Sequence, residues 1–339
     1  NPFLYTIALA ENAWRNGADF FFDHEVTAIQ NLSGSYAVQT TQGSFQAGWV
    51  INCAGLFADH IARMVGITDF TIYPCRGEYF VLDKKVGQHL PLPVYPVPNA
   101  REGGLGIHLT PTVDGNILVG PSTDYINEKS DYATTQATMD QLIQDAQKIF
   151  PGLRAAEIIT SFSGVRPKLV SSQEGGYVDF VIEERQDTPH FVNLVGIESP
   201  GLTSALPIAR RVVEIVGQSV DLAADPDFNP SRQGITCFRE QPADMQRELL
   251  AQNPEYGTII CRCEGITQAE IVAAIHNPLG VTTVSGIKNR SRAMMGRCQG
   301  GYCQIRIAEL IMAEKHKQEV EVLLSRRASH LFVGKVRDT

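Results

Sequence analysis

Four of the seven cysteines of this 339-residue chain fall in two tight pairs. The first is Cys261-Arg262-Cys263. The second, 34 residues further on, is Cys298-Gln299-Gly300-Gly301-Tyr302-Cys303. Two such pairs can place four thiolates around one metal centre, and thiolate is a soft ligand that suits zinc or an iron–sulfur cluster. A single intervening residue keeps Cys261 and Cys263 off a common helical face, so their loop must be extended and curl around the metal. Gly300 and Gly301 let the second loop close on the sulfurs. Structural zinc sites usually hold two to four residues inside a cysteine pair, and the C-x-C pair departs from that pattern. The residues favour a [2Fe–2S] cluster, with zinc and a disulfide pair as the alternatives. Arg262, Lys288, Arg290, Arg292, Arg297 and Arg306 crowd the same segment. They either offset the charge of a four-thiolate cluster or form an ordinary solvated face.

Three further side chains are candidates for polar chemistry. Arg166, in Ser163-Gly164-Val165-Arg166-Pro167, carries a guanidinium, which donates two parallel hydrogen bonds to a carboxylate or phosphate. His108, in Ile107-His108-Leu109-Thr110-Pro111, is a candidate proton acceptor or substrate ligand. Arg76 stands beside Gly77, where the backbone can approach a site. Each has a plainer structural reading: a salt bridge for the arginines, a packed or solvated ring for the histidine.

The elements that position these residues can be read from pattern. Thr267 and Glu270 form a T-x-x-E capping box that opens a helix with Ile271, Ala274 and Ile275 on one face. A second helix starts near Cys303 and carries Ile307, Leu310 and Ile311. Free N–H groups at such helix starts stabilise a sulfur cluster. Upstream, residues 3–16 read as a helix, followed by strands at 20–22 and 24–29 and a hairpin at 36–47. Trp49-Val50-Ile51-Asn52-Cys53-Ala54-Gly55 and the helix after it form a strand, glycine turn and helix. That geometry lets a backbone approach a nucleotide, and an ordinary α/β crossover has the same pattern. Prolines hold residues 91–98 extended. Asp114-Gly115 reads as a hairpin turn, 134–150 as an amphipathic helix, and 158–167 as a strand. A hairpin at Gly175-Gly176 leads into a strand through Val178, Phe180 and Ile182. Residues 190–196 form a buried strand, and Ile197-Glu198-Ser199-Pro200-Gly201-Leu202-Thr203-Ser204 leads into a helix through Ile208, Ala209 and Val212.

C-R-C-E-G-I-T with G-R-C-Q-G-G-Y-C resembles the bacterioferritin-associated-ferredoxin type of [2Fe–2S] module, over residues 257–313. The earlier elements, with R-G-E-Y, H-L-T-P, D-G-N-I-L-V-G-P, S-G-V-R-P and G-I-E-S-P-G-L-T, resemble the glycine/D-amino-acid oxidase superfamily of FAD enzymes. Within it they are similar to glycerol-3-phosphate and L-2-hydroxyglutarate dehydrogenases. The whole arrangement is similar to anaerobic glycerol-3-phosphate dehydrogenases of the A-subunit type.

The resemblance implies a fold and a set of roles. The fold is α/β (α+β mixed): an incomplete FAD-binding Rossmann-like part at 1–70 and 186–220 and a mixed-sheet substrate domain at 71–185. A linker at 221–256, the small helical [2Fe–2S] domain at 257–313 and a tail at 314–339 follow. Val26 contacts the adenine side through its backbone, and Ala54 and Gly55 lie near the dinucleotide. Gly196, Ile197, Gly201, Leu202 and Thr203 face the flavin, the helix start after them offering N–H groups to its pyrimidine ring. Arg166 holds the anionic group of the substrate over the flavin; His108 and Arg76, candidates on the residue reading above, complete the expected catalytic set. Cys261, Cys263, Cys298 and Cys303 ligate the cluster. The implied activity is FAD-dependent oxidation of a small anionic alcohol or hydroxy acid, with electrons leaving one at a time through the [2Fe–2S] cluster. The implied partner is a second electron-transfer flavoprotein or a membrane-anchor subunit. The family also needs a G-x-G-x-x-G turn for the pyrophosphate, and the sequence has none. The expectation is that the first part of the dinucleotide fold is missing and that this piece is inactive alone. Two other readings stand beside it: a non-catalytic electron-transfer or metal-binding partner with a vestigial flavin fold, and a relative acting on another hydroxy acid or an amine.

Composition narrows the classes. A net charge of −8 gives a nucleic-acid role no support. No run of 18 apolar residues suggests a membrane span. The cysteine usage points to a reducing cytoplasm, with the inner face of the membrane as the other location considered. The chain begins at Asn1 without methionine, so targeting signals are not legible.

Overall fold

Asn1 and Pro2 start the first helix, α1 (Pro2–Arg15): the Asn1 side chain accepts from the Leu4 N–H at 3.2 Å, and a proline at N1 removes only an N–H that would lack a helical partner. The computed structural model describes residues 1–97, 106–326 and 328–334. Pro98 of the expected extended stretch and 327 and 335–339 of the expected tail lie outside them. The chain forms two compact units, Phe21–Asp225 and a second made of Asn1–Phe20 with Pro226–Thr339. The Asn12 and Asn16 amides both donate to the Asn229 carbonyl at 3.0 Å, and Arg232 pairs with Glu11 at 2.7 Å.

In the unit Phe21–Asp225, β1 (Val26–Asn31), β2 (Tyr36–Thr40) and β3 (Gly43–Ala47) form an antiparallel meander. β4 (Val50–Asn52) leads through a turn at Gly55 into α2 (Ala58–Met64). The next sheet is built on β5 (Tyr73–Leu82). A short helix α3 (Lys84–Gly87) follows it, then β6 (His108–Pro111), β7 (Ile117–Gly120) and β8 (Asp124–Tyr125). α4 (Gln136–Ile149) returns the chain to β9 (Ile158–Lys168), which pairs with β5 over most of its length. The strand order is β6-β7-β5-β8, with β9 also on β5. Successive strand residues face opposite sides. Phe80 and Leu82 of β5 therefore share one face, packed with Leu109, Ile117 and Val119 against Leu142 and Ala146 of α4. Each fully buried Leu, Ile or Phe there contributes roughly 1.5–3 kcal/mol. β10 (Val181–Arg185), β11 (Thr188–Val195) and β4 form a third sheet in which β11 and β4 run parallel. α5 (Ala205–Gly217) follows β11.

The second unit adds α6 (Ala243–Gln252) and the hairpin β12 (Ile259–Cys261) and β13 (Ile266–Thr267). α7 (Gln268–Ile275), α8 (Val284–Ser291) and α9 (Gln304–Lys315) complete it. Ile271, Ile275, Val284, Ile287, Ile307 and Ile311 form its fully buried core. The Thr267–Glu270 capping box forms as the sequence indicates, and the helix after Cys303 is present.

The mixed α/β class is as expected, with local corrections. No strand forms at residues 20–22: Phe21 packs its ring against Phe45, 4.7 Å between centroids, and no neighbouring strand offers a ladder. The strand expected from Val178 starts at Val181, after the Gly175 and Gly176 turn. The β5 sheet, expected to be mixed, pairs antiparallel throughout, because its strands are joined by hairpins or by a return through α4. The parallel pair lies instead between β4 and β11. Residues 221–256, read as a linker, include α6 and a stacked pair, Phe238 on Tyr256 at 5.3 Å. No helix among the described residues is long and apolar enough to cross a membrane.

Candidate active site and thiol cluster

Arg166 stands opposite Cys75 in the β5–β9 ladder, and Gly164 stands opposite Gly77. The Arg166 Nη2 donates to the Ser122 carbonyl at 3.1 Å, and Nη1 lies 3.4 Å from Cys75 Sγ. A Cβ on Gly77 would stand 2.5 Å from Nη2, so the glycine makes the room that the guanidinium fills. No carboxylate pairs with Arg166 among the described residues, and its side chain is half-buried. A guanidinium held by neutral acceptors keeps its whole charge for an incoming anion.

His108, on β6, holds Nδ1 2.9 Å from the Gly106 carbonyl. A carbonyl only accepts, so Nδ1 carries the hydrogen and the neutral ring keeps its lone pair on Nε2. The ring stacks on Tyr95 with centroids 4.4 Å apart. Burial lowers the His108 pKa, and the positive charge of Arg166 acts in the same direction. At neutral pH the ring is therefore a base, and Nε2 meets no hydrogen-bond partner among the described residues.

Arg76 is not brought to these two. It follows Cys75 by one residue and so points to the other face of β5. There it is buried beside Asp131 at 2.7 Å, Asp124 at 3.1 Å and Glu78 at 3.4 Å. Glu78 also accepts from the Thr135 N–H at the start of α4, at 2.7 Å. Three carboxylates already balance this guanidinium, and the cluster ties β5 to β8 and α4.

The sequence reading did not single out Lys168 or Glu198. Lys168 lies two residues beyond Arg166 on the same strand face, and its Nζ meets Glu198 at 3.0 Å with both side chains nearly buried. Nζ also lies 5.1 Å from the Tyr177 ring centre. Glu198 belongs to the loop between β11 and α5, so the pair fixes that loop to the Arg166 sheet. The Arg-x-Lys spacing was the available signal, because it sets two cations on one face.

The expected nucleotide residues gather at the C-terminal ends of the parallel strands β4 and β11, where open α/β sheets bind ligands. Asn52 and Asn193 stand in register there, and the Asn52 amide donates to Asn193 Oδ1 at 2.9 Å and to the Ala58 carbonyl at 2.8 Å. Asn52 Oδ1 accepts from the Ala54 N–H at 3.2 Å. These bonds set the Ala54-Gly55 turn, where Gly55 has φ +54 and nothing stands within 4 Å of where its Cβ would be. Gly196 follows β11 with φ +72, and a Cβ there would meet Leu169 at 2.5 Å. Ile197 packs with Val192 and Ile208, and a Cβ on Gly201 would stand 2.6 Å from the Glu198 carbonyl. No side chain caps α5 at Ser204, and the N–H groups of Leu202 and Thr203 have no partner among the described residues. Val26 is elsewhere in the unit, as the first residue of β1 beside a bulge in its pairing with β2.

In the other unit the four thiols stand as two pairs. Cys263 Sγ is 3.6 Å from Cys298 Sγ, both exposed, while Cys261 and Cys303 are buried and hydrogen-bonded to each other. The bond from Cys303 pulls the Cys261 thiol down to about 6, with the Met294 and Glu264 N–H groups aiding it. Backbone N–H groups of Tyr302 and Gly300 lower Cys298. Among the described residues no three His, Cys, Asp or Glu side chains converge on one ion. A Cβ on Gly296 would stand 2.3 Å from Cys263 Cβ, so glycine is required for the two loops to meet. The basic residues divide. Arg292 pairs with the buried Glu264 at 2.8 Å, joined by Arg239 at 3.3 Å, so its charge answers that carboxylate. Arg262 and Arg306 lie over the Tyr302 ring at 4.2 and 4.3 Å. Burial lowers the Lys288 pKa.

Comparison with known proteins gives both halves a family. Residues 1–215 match the FAD dependent oxidoreductase family, and residues 259–313 match the BFD-like [2Fe-2S] binding domain. The chain is 38% identical over 334 residues to a glycerol 3-phosphate dehydrogenase of Caloramator mitchellensis, covering 98% of this chain and 68% of that protein. It is 25% identical to the A-subunit of the anaerobic glycerol-3-phosphate dehydrogenase of Escherichia coli, covering 92% of this chain and 62% of the relative. Among solved structures, the dithionite-reduced L-alpha-glycerophosphate oxidase of Mycoplasma pneumoniae with FAD bound matches at 31% identity and TM-score 0.59. That match covers 66% of this chain and 57% of the oxidase. The chain belongs to the FAD dependent oxidoreductase family, and it carries a BFD-like [2Fe–2S] binding domain after the flavoprotein part.

Proposed function

We propose that the protein oxidises a small anionic alcohol or hydroxy acid of the glycerol 3-phosphate type and passes the electrons on singly. The observation that carries this reading is the half-buried Arg166, which has neutral partners and no carboxylate among the described residues. The two cofactors of the family suit the residues present. The N–H groups of Leu202 and Thr203, in the turn just before α5 and without a partner among the described residues, fit the electron-rich end of a flavin. The Gly55 turn leaves room for backbone approach. An all-thiol donor set in two pairs, with amide N–H groups aimed at the sulfurs, fits a dinuclear cluster in which each iron takes two thiolates. When bound, FAD accepts a hydride and the [2Fe–2S] cluster carries single electrons.

The chain's own groups then have separate tasks. Arg166 binds the phosphate or carboxylate of the substrate by its fork. His108 Nε2 takes the hydroxyl proton. Lys168 and Glu198 hold the loop that carries Gly201 to Thr203 against the substrate sheet. Arg76 supports the sheet from its other face. The relatives named glycerol 3-phosphate dehydrogenase supply the substrate class. The Escherichia coli relative is one component of its enzyme, and this supplies the expectation of an electron-accepting partner. That partner is a second flavoprotein or a membrane-anchor subunit on the inner face of the membrane.

The test is anaerobic reduction of the FAD-loaded full-length protein by a panel of substrates. Glycerol 3-phosphate should bleach the flavin faster than L-2-hydroxyglutarate or glycine. Arg166→Lys should lower kcat/KM by roughly one to two orders of magnitude, about 1.5–3 kcal/mol for a lost charged hydrogen-bond pair. Bleaching by an uncharged alcohol as fast as by its phosphate, or unchanged kinetics in Arg166→Lys, would contradict the assignment.

A further inference from the structure

We propose that the face carrying Cys263, Cys298 and Tyr302 is the docking surface for an acidic one-electron carrier protein. The inference rests on the cluster reading above. Thiol exposure is lopsided: Cys261 and Cys303 are buried in the isoleucine core, while Cys263 and Cys298 are exposed. A cluster held by all four has one covered side and one open side, and transfer to a protein partner requires close approach to the open side.

The surface around that side is positive. Arg262 adjoins Cys263, Arg306 lies in the first turn of α9, and both are exposed. Their guanidinium carbons lie 4.2 and 4.3 Å from the Tyr302 ring centre. An aromatic face attracts a cation but leaves its hydrogen-bond donors unused. Neither arginine meets a carboxylate among the described residues. Tyr302 thus holds two like charges together that would otherwise separate into solvent. It pre-orders two forks, each able to take a carboxylate bidentately. Ile305, 49% exposed, supplies an apolar contact beside them. The wider charge agrees: the unit made of residues 1–20 and 226–339 holds sixteen Lys and Arg against fourteen Asp and Glu, in a chain whose net charge is −8. A positive patch beside an exposed redox edge steers and orients an acidic partner. In the transfer, one electron passes from the reduced cluster to the oxidised carrier, with no bond made or broken and no proton moved.

The test uses full-length, cluster-loaded protein and a dye-labelled acidic flavodoxin in its oxidised form, with binding read by fluorescence anisotropy. Wild-type affinity should fall at least about tenfold between about 50 mM and about 300 mM salt. Arg262→Glu with Arg306→Glu should weaken low-salt binding by at least about tenfold and flatten the salt dependence. The Arg262→Lys, Arg306→Lys pair should keep the salt dependence, because the charge remains, and bind about threefold to tenfold more weakly than wild type, because the forks stacked on Tyr302 are lost. Arg247→Glu, exposed on α6, should bind as wild type does. If the glutamate pair lowers the visible absorption of the cluster, the Arg262→Gln, Arg306→Gln pair is measured instead, with the same weakening expected. Absence of salt-sensitive binding in wild type, or full affinity in the charge-reversed or neutral pair, overturns the proposal. Because the readout is binding, its failure leaves substrate-driven flavin reduction untouched, and failure of the relay leaves binding in place.

Discussion

The Nη2 of Arg166 occupies the space that a side chain on Gly77 would need: a Cβ there would stand 2.5 Å from it. The two residues are on neighbouring strands, and the missing side chain of one leaves the space that the other fills. Gly77 has ordinary extended backbone, so its role is space and not conformation. Gly77→Ala should fold and bind cofactor, yet displace the guanidinium from Ser122. Overpacking of this kind costs about 1–3 kcal/mol, so KM for the anionic substrate should rise about tenfold or more with a modest fall in Tm. Steady-state kinetics and thermal unfolding of the purified variant check it.

His108 predicts a pH profile. Burial lowers its pKa below the ordinary histidine value of about 6.5, so the ring takes up its proton at a lower pH than a free imidazole does. The acid limb of kcat/KM should have its midpoint below the ordinary histidine value of about 6.5. His108→Gln should remove that acid limb and lower the plateau about a hundredfold, as expected for loss of a general base. The stability sign follows the same shift. A lowered folded-state pKa means the unfolded chain binds the proton more readily, so the His108 contribution is present above the ordinary histidine range and is lost as pH falls. Urea unfolding of wild type and His108→Gln at descending pH reads the difference.

Gly296 predicts the assembly of the cluster loops. A Cβ at this position would stand 2.3 Å from Cys263 Cβ and 3.1 Å from Glu264 Oε1. Gly296→Ala must push the C-x-C loop away from Cys298. Iron and acid-labile sulfide in the anaerobically purified variant should fall below about half of wild type, since a close-packed site has no slack to absorb a methyl group. Full cluster content would show that the loops meet differently.

What the sequence discloses here depends on range. The Thr267–Glu270 capping box and the Asp114-Gly115 turn are local patterns, and both are present in the fold, whereas the thiols meet across the two sequence pairs, Cys263 with Cys298 and Cys261 with Cys303, which spacing alone does not tell. Arg166 and His108 were identifiable as chemistry-bearing types on strands, and the fold sets them where the charge of one bears on the other. Arg76 has the same type and a glycine beside it, but strand parity sends it to the α4 face, and only the packing of Phe80 and Leu82 shows which face that is. Lys168 and Glu198 are thirty positions apart, a pairing that no local pattern carries. Residues 20–22 have strand composition but lack a partner strand, and α6 was hidden by the polar, proline-rich stretch around it.

The central claim is that flavin and cluster form one electron path, and Cys298→Ser in the FAD-loaded full-length protein tests it most directly. Cys298 is exposed and pairs with Cys263 at 3.6 Å, so serine removes one soft ligand without disturbing the isoleucine core. A site short of one thiolate should bind iron poorly. Flavin bleaching by substrate, followed by stopped flow, should proceed at near the wild-type rate. Steady-state turnover with a protein acceptor should fall at least about tenfold, a barrier increase of about 1.4 kcal/mol. Turnover that survives at the wild-type rate in a variant shown to lack iron would place the cluster off the electron path and contradict the account.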